Sequence, residues 1–195
     1  MKKIFISLFI FVLGSLGFSL AAGENPVVVI KTDFGDIKIE IFAEQAPVTA
    51  TNFLRYVDAG LFKGASFYRI VRLDNQPASP VKIEVIQGGL RLAEAEIPFP
   101  AIEHETTDKT GILHEDGVIS MARTTPGSAT SEFFICIGDQ PELDFRGKRN
   151  PDGQGFAAFG QVIEGMDLVR KIQHQPDENQ MLKEPVKIEN IERTP

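Results

Sequence analysis

The chain has 195 residues, of which 43% are hydrophobic and 24% are charged, and these proportions are typical of a globular protein rather than a disordered one. Its 27 acidic residues outnumber its 20 lysines and arginines, and a net charge of -7 argues against nucleic acid as a partner. Cys136 is the only cysteine, so an intrachain disulfide is excluded. We therefore predict one domain that is stabilised by its hydrophobic core.

The amino-terminal segment has the three regions of a secretory signal. Two lysines precede an apolar run over residues 4–20, and small residues follow at positions 21–23. We predict a signal peptide over residues 1–23 and a folded domain over residues 24–195 that is exported, either to a periplasm or outside the cell. The alternative is an uncleaved membrane anchor, because the apolar run approaches the ~18 residues that can span a bilayer. Contact with a membrane is expected only in that case.

A β-hairpin and a helix are the first predicted elements of the domain. Two β-rich runs, Val27 to Thr32 and Ile37 to Ile41, flank a short turn. Pro47 then opens a stretch in which apolar residues recur at helical spacing, and Gly60 closes it. This pattern predicts an amphipathic helix.

Short strands dominate the remainder of the chain. Five further β-rich runs are Ser66 to Val71, Lys82 to Gln87, Gly117 to Ala122, Glu132 to Ile137 and Phe156 to Ile163. A second helix is predicted over Met166 to Ile172, and a last strand over Val186 to Ile191. Eight short strands with two helices indicate a mainly β fold with a closed antiparallel sheet, because closure removes exposed strand edges.

Three long connections interrupt this pattern, and we expect them on the surface. They are Leu73 to Val81, Leu90 to Glu115 and Asp139 to Gln154. Long loops in small domains often carry function, so these segments are candidates for contact with a substrate.

Four segments, in this order, resemble the cyclophilin family. They are Phe67-Tyr68-Arg69-Ile70, Gln87-Gly88-Gly89, residues 117–122 (GVISMA) and residues 131–136 (SEFFIC). The resemblance covers nearly all of the predicted domain. It implies a closed eight-stranded antiparallel barrel capped by two helices, with a peptide groove on one outer face. It also implies peptidyl-prolyl cis-trans isomerase activity during the folding of exported proteins, with proline-containing unfolded or flexible polypeptides as substrates.

The resemblance further implies which residues form the site. Arg69 occupies the position of the family's catalytic arginine, and residues that bind the substrate are expected to lie around it in the groove. The residues expected to bind substrate are Gln87, Val85, Ala122, Arg123, Thr124, Glu132, Phe134, Leu143 and Phe156. Neither a metal nor another cofactor is expected, and the protein is expected to be a monomer.

Elementary chemistry explains why an arginine suits this reaction. Amide resonance gives Xaa-Pro rotation a barrier of ~18–20 kcal/mol, and rotation requires the prolyl nitrogen to leave conjugation. A guanidinium such as that of Arg69 hydrogen-bonds this nitrogen more strongly once it becomes pyramidal, which is preferential binding of the transition state. No nucleophile and no acid-base pair are needed.

Several residues depart from the family's pattern. Seventeen residues separate Arg69 from Gln87, about ten more than in the family's short form, so the loop Leu73 to Val81 looks like an insertion. Glu84 stands where an aromatic residue usually walls the proline pocket, unless the insertion shifts the register. Phe156 replaces a polar residue, and Glu142 replaces the tryptophan that binds cyclosporin, so poor drug sensitivity is expected. Glu84 and Phe156 favour an alternative function, a catalytically weak peptide-binding chaperone module.

The histidines and serines suggest two other kinds of site. His104, His114 and His174 lie near acidic residues, but their spacing fits no compact metal-ligand motif. Ser120 and Ser128 have no histidine close in sequence, so nothing indicates a hydrolase. Cys136 lies within an apolar run and is expected to be buried and inert.

Overall fold

Eight strands close into a barrel within residues 24–194, the part of the chain that the computed structural model describes. The strands in chain order are β1 (Val27–Thr32), β2 (Gly35–Ile41), β3 (Ser66–Val71), β4 (Val85–Gly89), β5 (Val118–Met121), β6 (Phe133–Cys136), β7 (Ala157–Glu164), β8 (Asp177–Glu178) and β9 (Met181–Arg193). The ring runs β1-β2-β7-β5-β6-β4-β3-β9, and β9 pairs with β1 to close it. All neighbours pair antiparallel, so the predicted barrel is confirmed.

Three helices accompany the barrel in the described residues. They are α1 (Pro47–Asp58), α2 (Thr107–Thr110) and α3 (Met166–Gln173). The first packs on β7 and β9 and the last on β2, β3 and β4, as expected for two capping helices. The four-residue α2 lies inside the loop predicted over Leu90 to Glu115. The sequence did not predict this helix, because one helical turn is too short to show a periodic pattern. Within residues 24–194 no helix is long and apolar enough to cross a membrane. The predicted signal peptide, residues 1–23, lies outside the described residues.

The local sequence explains the hairpin and α1. In the hairpin Thr32 pairs with Gly35, and the Thr32 hydroxyl donates to the Gly35 carbonyl at 2.8 Å. In α1, Pro47 occupies the first turn, where its missing N–H costs no hydrogen bond. The chain leaves the helix at Gly60, whose φ of 65° favours glycine.

The barrel interior is filled by aromatic rings. Phe53 of α1 lies 5.3 Å from Phe62, 5.6 Å from Phe133 and 5.1 Å from Phe159, measured between ring centroids. All four side chains are buried, and each such burial contributes about 1.5–3 kcal/mol to folding. The expectation that Phe67, Phe133 and Phe159 belong to the core is confirmed.

Strand alternation sends other residues of the same strands to the outer face of the barrel. Ile70, Ile86 and Ile135 belong to the interior cluster, whereas a second apolar cluster contains Val85 and Phe134. This second cluster lies on the opposite face of β4 and β6. The barrel wall therefore has an apolar patch on its outside.

The strand bounds differ most from prediction at two strands, and by one or two residues at several others. The predicted strand Lys82 to Gln87 is β4, which begins at Val85, since residues 82–84 precede the ladder. The predicted strand Val186 to Ile191 is the end of β9, which begins at Met181. The first residues of β9 pair with β8 and with β3. They show no alternation of apolar and polar residues, so the sequence did not predict this part of the strand.

Candidate active site

The register of three adjacent strands brings the most important predicted residues together. Arg69 of β3 is the ladder partner of Gln87 of β4, and Gln87 is the partner of Phe134 of β6. Paired residues on neighbouring strands project from the same face of a sheet. The three side chains therefore form one row across the outer face of the barrel.

This row borders a cavity of about 280 Å³. Eight predicted site residues line it, namely Arg69, Val85, Gln87, Ala122, Arg123, Phe134, Leu143 and Phe156. Three further residues that the sequence did not single out also line it, namely Ile83, Arg149 and Asn150. The cavity combines apolar side chains with arginines, which is the composition of a site that binds an apolar ring beside a polar backbone.

Buried apolar side chains form the floor of the cavity. Val85, Phe134 and Leu143 are at most 4% exposed. The ring of Phe156 meets that of Phe134 edge-on, with centroids 5.2 Å apart and an interplanar angle of 87°. Packing of this kind fixes both rings, so the floor has a defined shape.

Two neutral amides hold the guanidinium of Arg69. Its Nη1 donates to Gln87 Oε1 at 2.8 Å, while Nε and Nη2 donate to Gln180 Oε1 at 3.2 and 2.6 Å. An arginine has five N–H donors, so two remain for a ligand. Burial lowers the pKa of Arg69, but an arginine stays charged at any physiological pH. The side chain is thus a fixed, charged donor.

A chain of hydrogen bonds supports Gln87 from behind. Gln87 Nε2 donates to the Tyr68 hydroxyl at 2.8 Å, and that hydroxyl donates to Glu132 Oε2 at 2.6 Å. Burial and the neighbouring Glu132 carboxylate raise the pKa of Tyr68, so the phenol keeps its proton. Glu132 also accepts from the backbone N–H of Arg91 at 2.9 Å. This series of hydrogen bonds fixes the direction in which Gln87 presents its carbonyl oxygen to Arg69.

A buried histidine lies beneath Phe134. The ring of His114 stacks on that of Phe134 with centroids 6.0 Å apart and an interplanar angle of 14°. Its Nδ1 lies 2.7 Å from Asp144 Oδ1, and its Nε2 lies 3.0 Å from Ser120 Oγ. Ser120 thus has a histidine partner in the structure, although the sequence did not indicate one. Ser120 and His114 are at most 1% exposed, so this arrangement supports Phe134 and has no access for a substrate.

Arg123 anchors the loop that carries Phe156. Its guanidinium forms a bidentate pair with Asp152 at 2.8 and 2.9 Å and donates twice to the Gly155 carbonyl. The arginine lowers the pKa of Asp152 to about 2. Gly155 has φ 62°, and a Cβ there would lie 2.5 Å from the Asp144 backbone, so only glycine allows this approach. The charge of Arg123 is thus neutralised inside the protein.

Two predicted substrate-binding residues lie outside this cavity. Thr124 borders a neighbouring cavity of about 700 Å³, together with Gly127 and Ser128. Glu132 lies behind Tyr68, as described above. Thr124 follows β5 and Glu132 precedes β6, and the residue directly after β5 and one residue of β6 line the cavity. The carboxylate of Glu132 is already hydrogen-bonded to Tyr68 and to the Arg91 N–H.

The cavity wall in front of Gln87 is formed by Ile83 and not by Glu84. Ile83, Val85 and Gln87 alternate along the cavity, so Ile83 takes the place at its wall where Glu84 was expected. The Glu84 carboxylate instead accepts from Gln173 Nε2 at 3.4 Å. Alternation was the signal that could have identified Ile83. Arg149 and Asn150 lie in an aperiodic loop, where the sequence carries no comparable signal.

Comparisons with known proteins agree with this geometry. The sequence model of the family described as "Cyclophilin type peptidyl-prolyl cis-trans isomerase/CLD" matches residues 27–193. A peptidyl-prolyl cis-trans isomerase of Acinetobacter baylyi is 35% identical over 190 residues, which covers 93% of this chain and 92% of that protein. Peptidyl-prolyl cis-trans isomerase B of Escherichia coli is 33% identical over 147 residues, covering 75% of this chain and 83% of that protein.

Solved structures show the same fold. A cyclophilin-type peptidyl-prolyl cis-trans isomerase of Cryptosporidium parvum superposes with a TM-score of 0.69 at 22% identity, covering 88% of this chain and 98% of that one. The crystal structure of the same protein in the presence of the dipeptide Ala-Pro gives a TM-score of 0.69 at 23% identity, covering 87% and 99%. The barrel, the row of site residues on its outer face and the match over residues 27–193 lead to one conclusion: the chain belongs to the cyclophilin-type peptidyl-prolyl cis-trans isomerase family.

Proposed function

We propose that this protein accelerates cis-trans isomerisation of Xaa-Pro bonds and that Arg69 is its catalytic residue. The observation that carries the proposal is the placement of a charged, hydrogen-bonded guanidinium beside an apolar cavity. An enzyme for this reaction needs to hold a proline ring and to stabilise a twisted imide. The cavity offers a group for each task.

Arg69 stabilises the twisted state through its remaining N–H donors. In the planar imide the prolyl nitrogen shares its lone pair with the carbonyl and is a poor acceptor. In the twisted state the lone pair is localised and accepts a hydrogen bond from the guanidinium. One charge-assisted hydrogen bond contributes ~1.5–3 kcal/mol, which is roughly one to two decades in rate.

The apolar floor supplies the rest of the acceleration. Val85, Phe134, Leu143 and Phe156 enclose the proline ring, while the residue before it rotates outside the cavity. Holding the ring in one orientation removes motions that would otherwise have to be frozen during rotation. Gln87 fixes the guanidinium and does not itself need to touch the substrate.

Flexible polypeptides that contain proline are the proposed substrates. The structurally similar Cryptosporidium parvum protein was crystallised in the presence of Ala-Pro, and the apolar cavity beside Arg69 in this chain suits such a sequence. We extend the proposal to unfolded segments of exported proteins, bound by a monomer without a cofactor. Ala122 lines this cavity and the exposed Thr124 borders the neighbouring one, which supports a peptide backbone that passes from one to the other.

Magnetisation exchange between the cis and trans forms of an Ala-Pro peptide tests the catalytic role. We expect wild type to accelerate exchange and Arg69→Ala to lose at least about tenfold in kcat/KM, since one transition-state hydrogen bond is removed. Arg170→Ala is the matched control, because Arg170 is a surface arginine paired with Asp116 away from the cavity. Equal exchange by wild type and Arg69→Ala would refute the role of Arg69.

The same experiment separates an alternative, a peptide-binding chaperone module with weak turnover. Phe156 is the observation that favours it, because its ring occupies the cavity wall and packs on Phe134. A module of this kind would bind proline peptides with unchanged affinity in wild type and Arg69→Ala, and neither protein would accelerate exchange.

We also propose export through the amino-terminal segment. The lysines and the apolar run of residues 1–23 support it. The intact mass of the protein recovered from its own cell tests this proposal. A mass that corresponds to a start near residue 24 is expected, and a full-length mass in a membrane fraction would favour the anchor instead.

A further inference from the structure

Three arginines line the cavity, and only one of them is neutralised by an acid. Arg123 is paired with Asp152. In the described part of the chain, the hydrogen-bond partners of Arg69 and Arg149 are all uncharged. Among the eleven described residues that line the cavity, none is Asp or Glu. The cavity is therefore positive, although the whole chain carries a net charge of -7.

Arg149 is held in place by the inserted loop. Its Nη1 donates to Gln76 Oε1 at 3.0 Å, to Ser79 Oγ at 2.6 Å and to the Val81 carbonyl at 2.6 Å. Within residues 24–194 these three bonds all involve Nη1, so Nε and Nη2 remain available for a ligand. The loop 73–81 thus fixes the position of a second guanidinium at the cavity.

Arg69 and Arg149 are close enough to affect each other. Burial lowers the pKa of Arg149, and the positive charge of Arg69 lowers it further. Two like charges in one half-buried site repel each other, and an anion bound to one of them offsets this repulsion. An acidic ligand group therefore gains more here than it would on the surface of the protein.

We infer that the site prefers Xaa-Pro segments that carry a carboxylate side chain within two residues of the proline, and that Arg149 is the residue that selects them. The inference rests on the proposed isomerase function and adds a substrate preference to it. The proline ring enters the apolar floor beside Arg69, and the carboxylate of the neighbouring residue pairs with Arg149. Two loops thereby determine specificity: the loop 139–154 carries Arg149, and the loop 73–81 orients it.

Two matched heptapeptides test this preference. One is Ac-Ala-Glu-Ala-Pro-Ala-Glu-Ala-amide, and the other has Gln at both Glu positions, so the two differ in charge but hardly in shape. We expect wild type to show a Glu/Gln ratio of kcat/KM of about fivefold, near the upper end of what a solvent-accessible ion pair contributes. At about 1 M salt the ratio should fall towards one, because the Debye length is then only about 3 Å.

Variants assign the preference to Arg149. Arg149→Gln should lower the Glu/Gln ratio to about one, and Arg149→Lys should keep most of it because the charge remains. The ratio is measured within one variant, so a general loss of activity through loop distortion does not change it. Lys148→Gln is the matched control: it removes the same charge from an exposed neighbouring side chain and should leave the ratio at the wild-type value.

Three outcomes would overturn the inference. A wild-type ratio near one, with good exchange of both peptides, would refute the preference and leave the isomerase function intact. An unchanged ratio in Arg149→Gln would show that Arg149 does not select the carboxylate. If wild type accelerated exchange of neither peptide, the proposed function itself would be refuted, and this inference with it.

Discussion

Gln180 offers the sharpest test of how Arg69 is held. The Gln180 carbonyl oxygen accepts from both Nε and Nη2 of Arg69, and its amide donates to the Asn75 carbonyl at 3.1 Å. Gln180 has φ 69°, which lies in the left-handed region that favours glycine. Gln180→Gly therefore removes the side chain, with its bonds to Arg69 and to the Asn75 carbonyl, without straining the backbone at this φ.

The structure sets the expected size of the effect. Gln180→Gly leaves Arg69 with its single bond to Gln87, so the guanidinium can rotate away from the prolyl nitrogen. A hydrogen bond to a charged group contributes ~1.5–3 kcal/mol, and water replaces part of what is lost. We expect a loss of about 1.4 kcal/mol, or tenfold, in kcat/KM. The loss should fall on kcat, with little change in KM, because the interaction acts in the transition state.

Magnetisation exchange on an Ala-Pro peptide, at several peptide concentrations, separates kcat from KM. Asn179→Gly is the matched control, since Asn179 belongs to the same turn, has φ 52°, and makes no hydrogen bond to Arg69 in the described structure. Thermal unfolding of both variants should give similar midpoints. If Gln180→Gly were as active as Asn179→Gly, the claim that Gln180 positions the Arg69 guanidinium for the proposed reaction would be refuted.

Three other substitutions or treatments have definite expected results. His114→Ala should lower the free energy of unfolding by about 2–4 kcal/mol in urea titrations and reduce kcat/KM, because it opens a void beneath Phe134 and leaves Ser120 unpaired; unchanged stability would contradict this. The pKa of Asp152, about 2, lies below its ordinary value of 3.8, so its stabilising effect should be complete above about pH 4 and lost as the pH falls through about 2. Unfolding free energies of wild type and Asp152→Asn, measured from pH 7 to 2, should therefore converge at the acid end. Iodoacetamide should not modify the folded protein, because Cys136 is fully buried and burial raises the pKa of its thiol; rapid loss of activity would contradict this.

Strand alternation is the reason that so much of the fold could be predicted. Phe133 and Phe134 are neighbours in sequence, so they project to opposite faces, one into the core and one into the cavity. The same rule places Arg69 on the outer face while Ile70 points inward. Apolar periodicity likewise identified α1, whose buried residues follow the helical spacing.

The supports of the site could not be predicted, because they depend on contacts between distant segments. Gln180 lies 111 residues from Arg69 and belongs to a tight turn between β8 and β9 that no apolar pattern marks. His114 and Asp144 are 30 residues apart, and each stands in a polar stretch of sequence. Such pairs become neighbours only when the barrel closes, so a single sequence carries no local signal for them.

The choice of amides as partners of Arg69 leads to a last prediction. Gln87 and Gln180 orient the guanidinium without neutralising it, whereas the carboxylate of Asp152 both holds and neutralises Arg123. If the positive charge stabilises the twisted imide, Gln180→Glu should keep Arg69 in place and still impair catalysis, since a carboxylate within hydrogen-bond distance weakens the field at the substrate. We expect an unfolding midpoint at or above the wild-type value and a loss of about threefold to tenfold in kcat. The pH dependence distinguishes this from simple distortion, because activity should recover as the new carboxylate is protonated, at a pH below the ordinary Glu value of about 4.3 since Arg69 lowers its pKa. Full activity of Gln180→Glu at neutral pH would show that orientation alone matters and that the uncompensated charge does not.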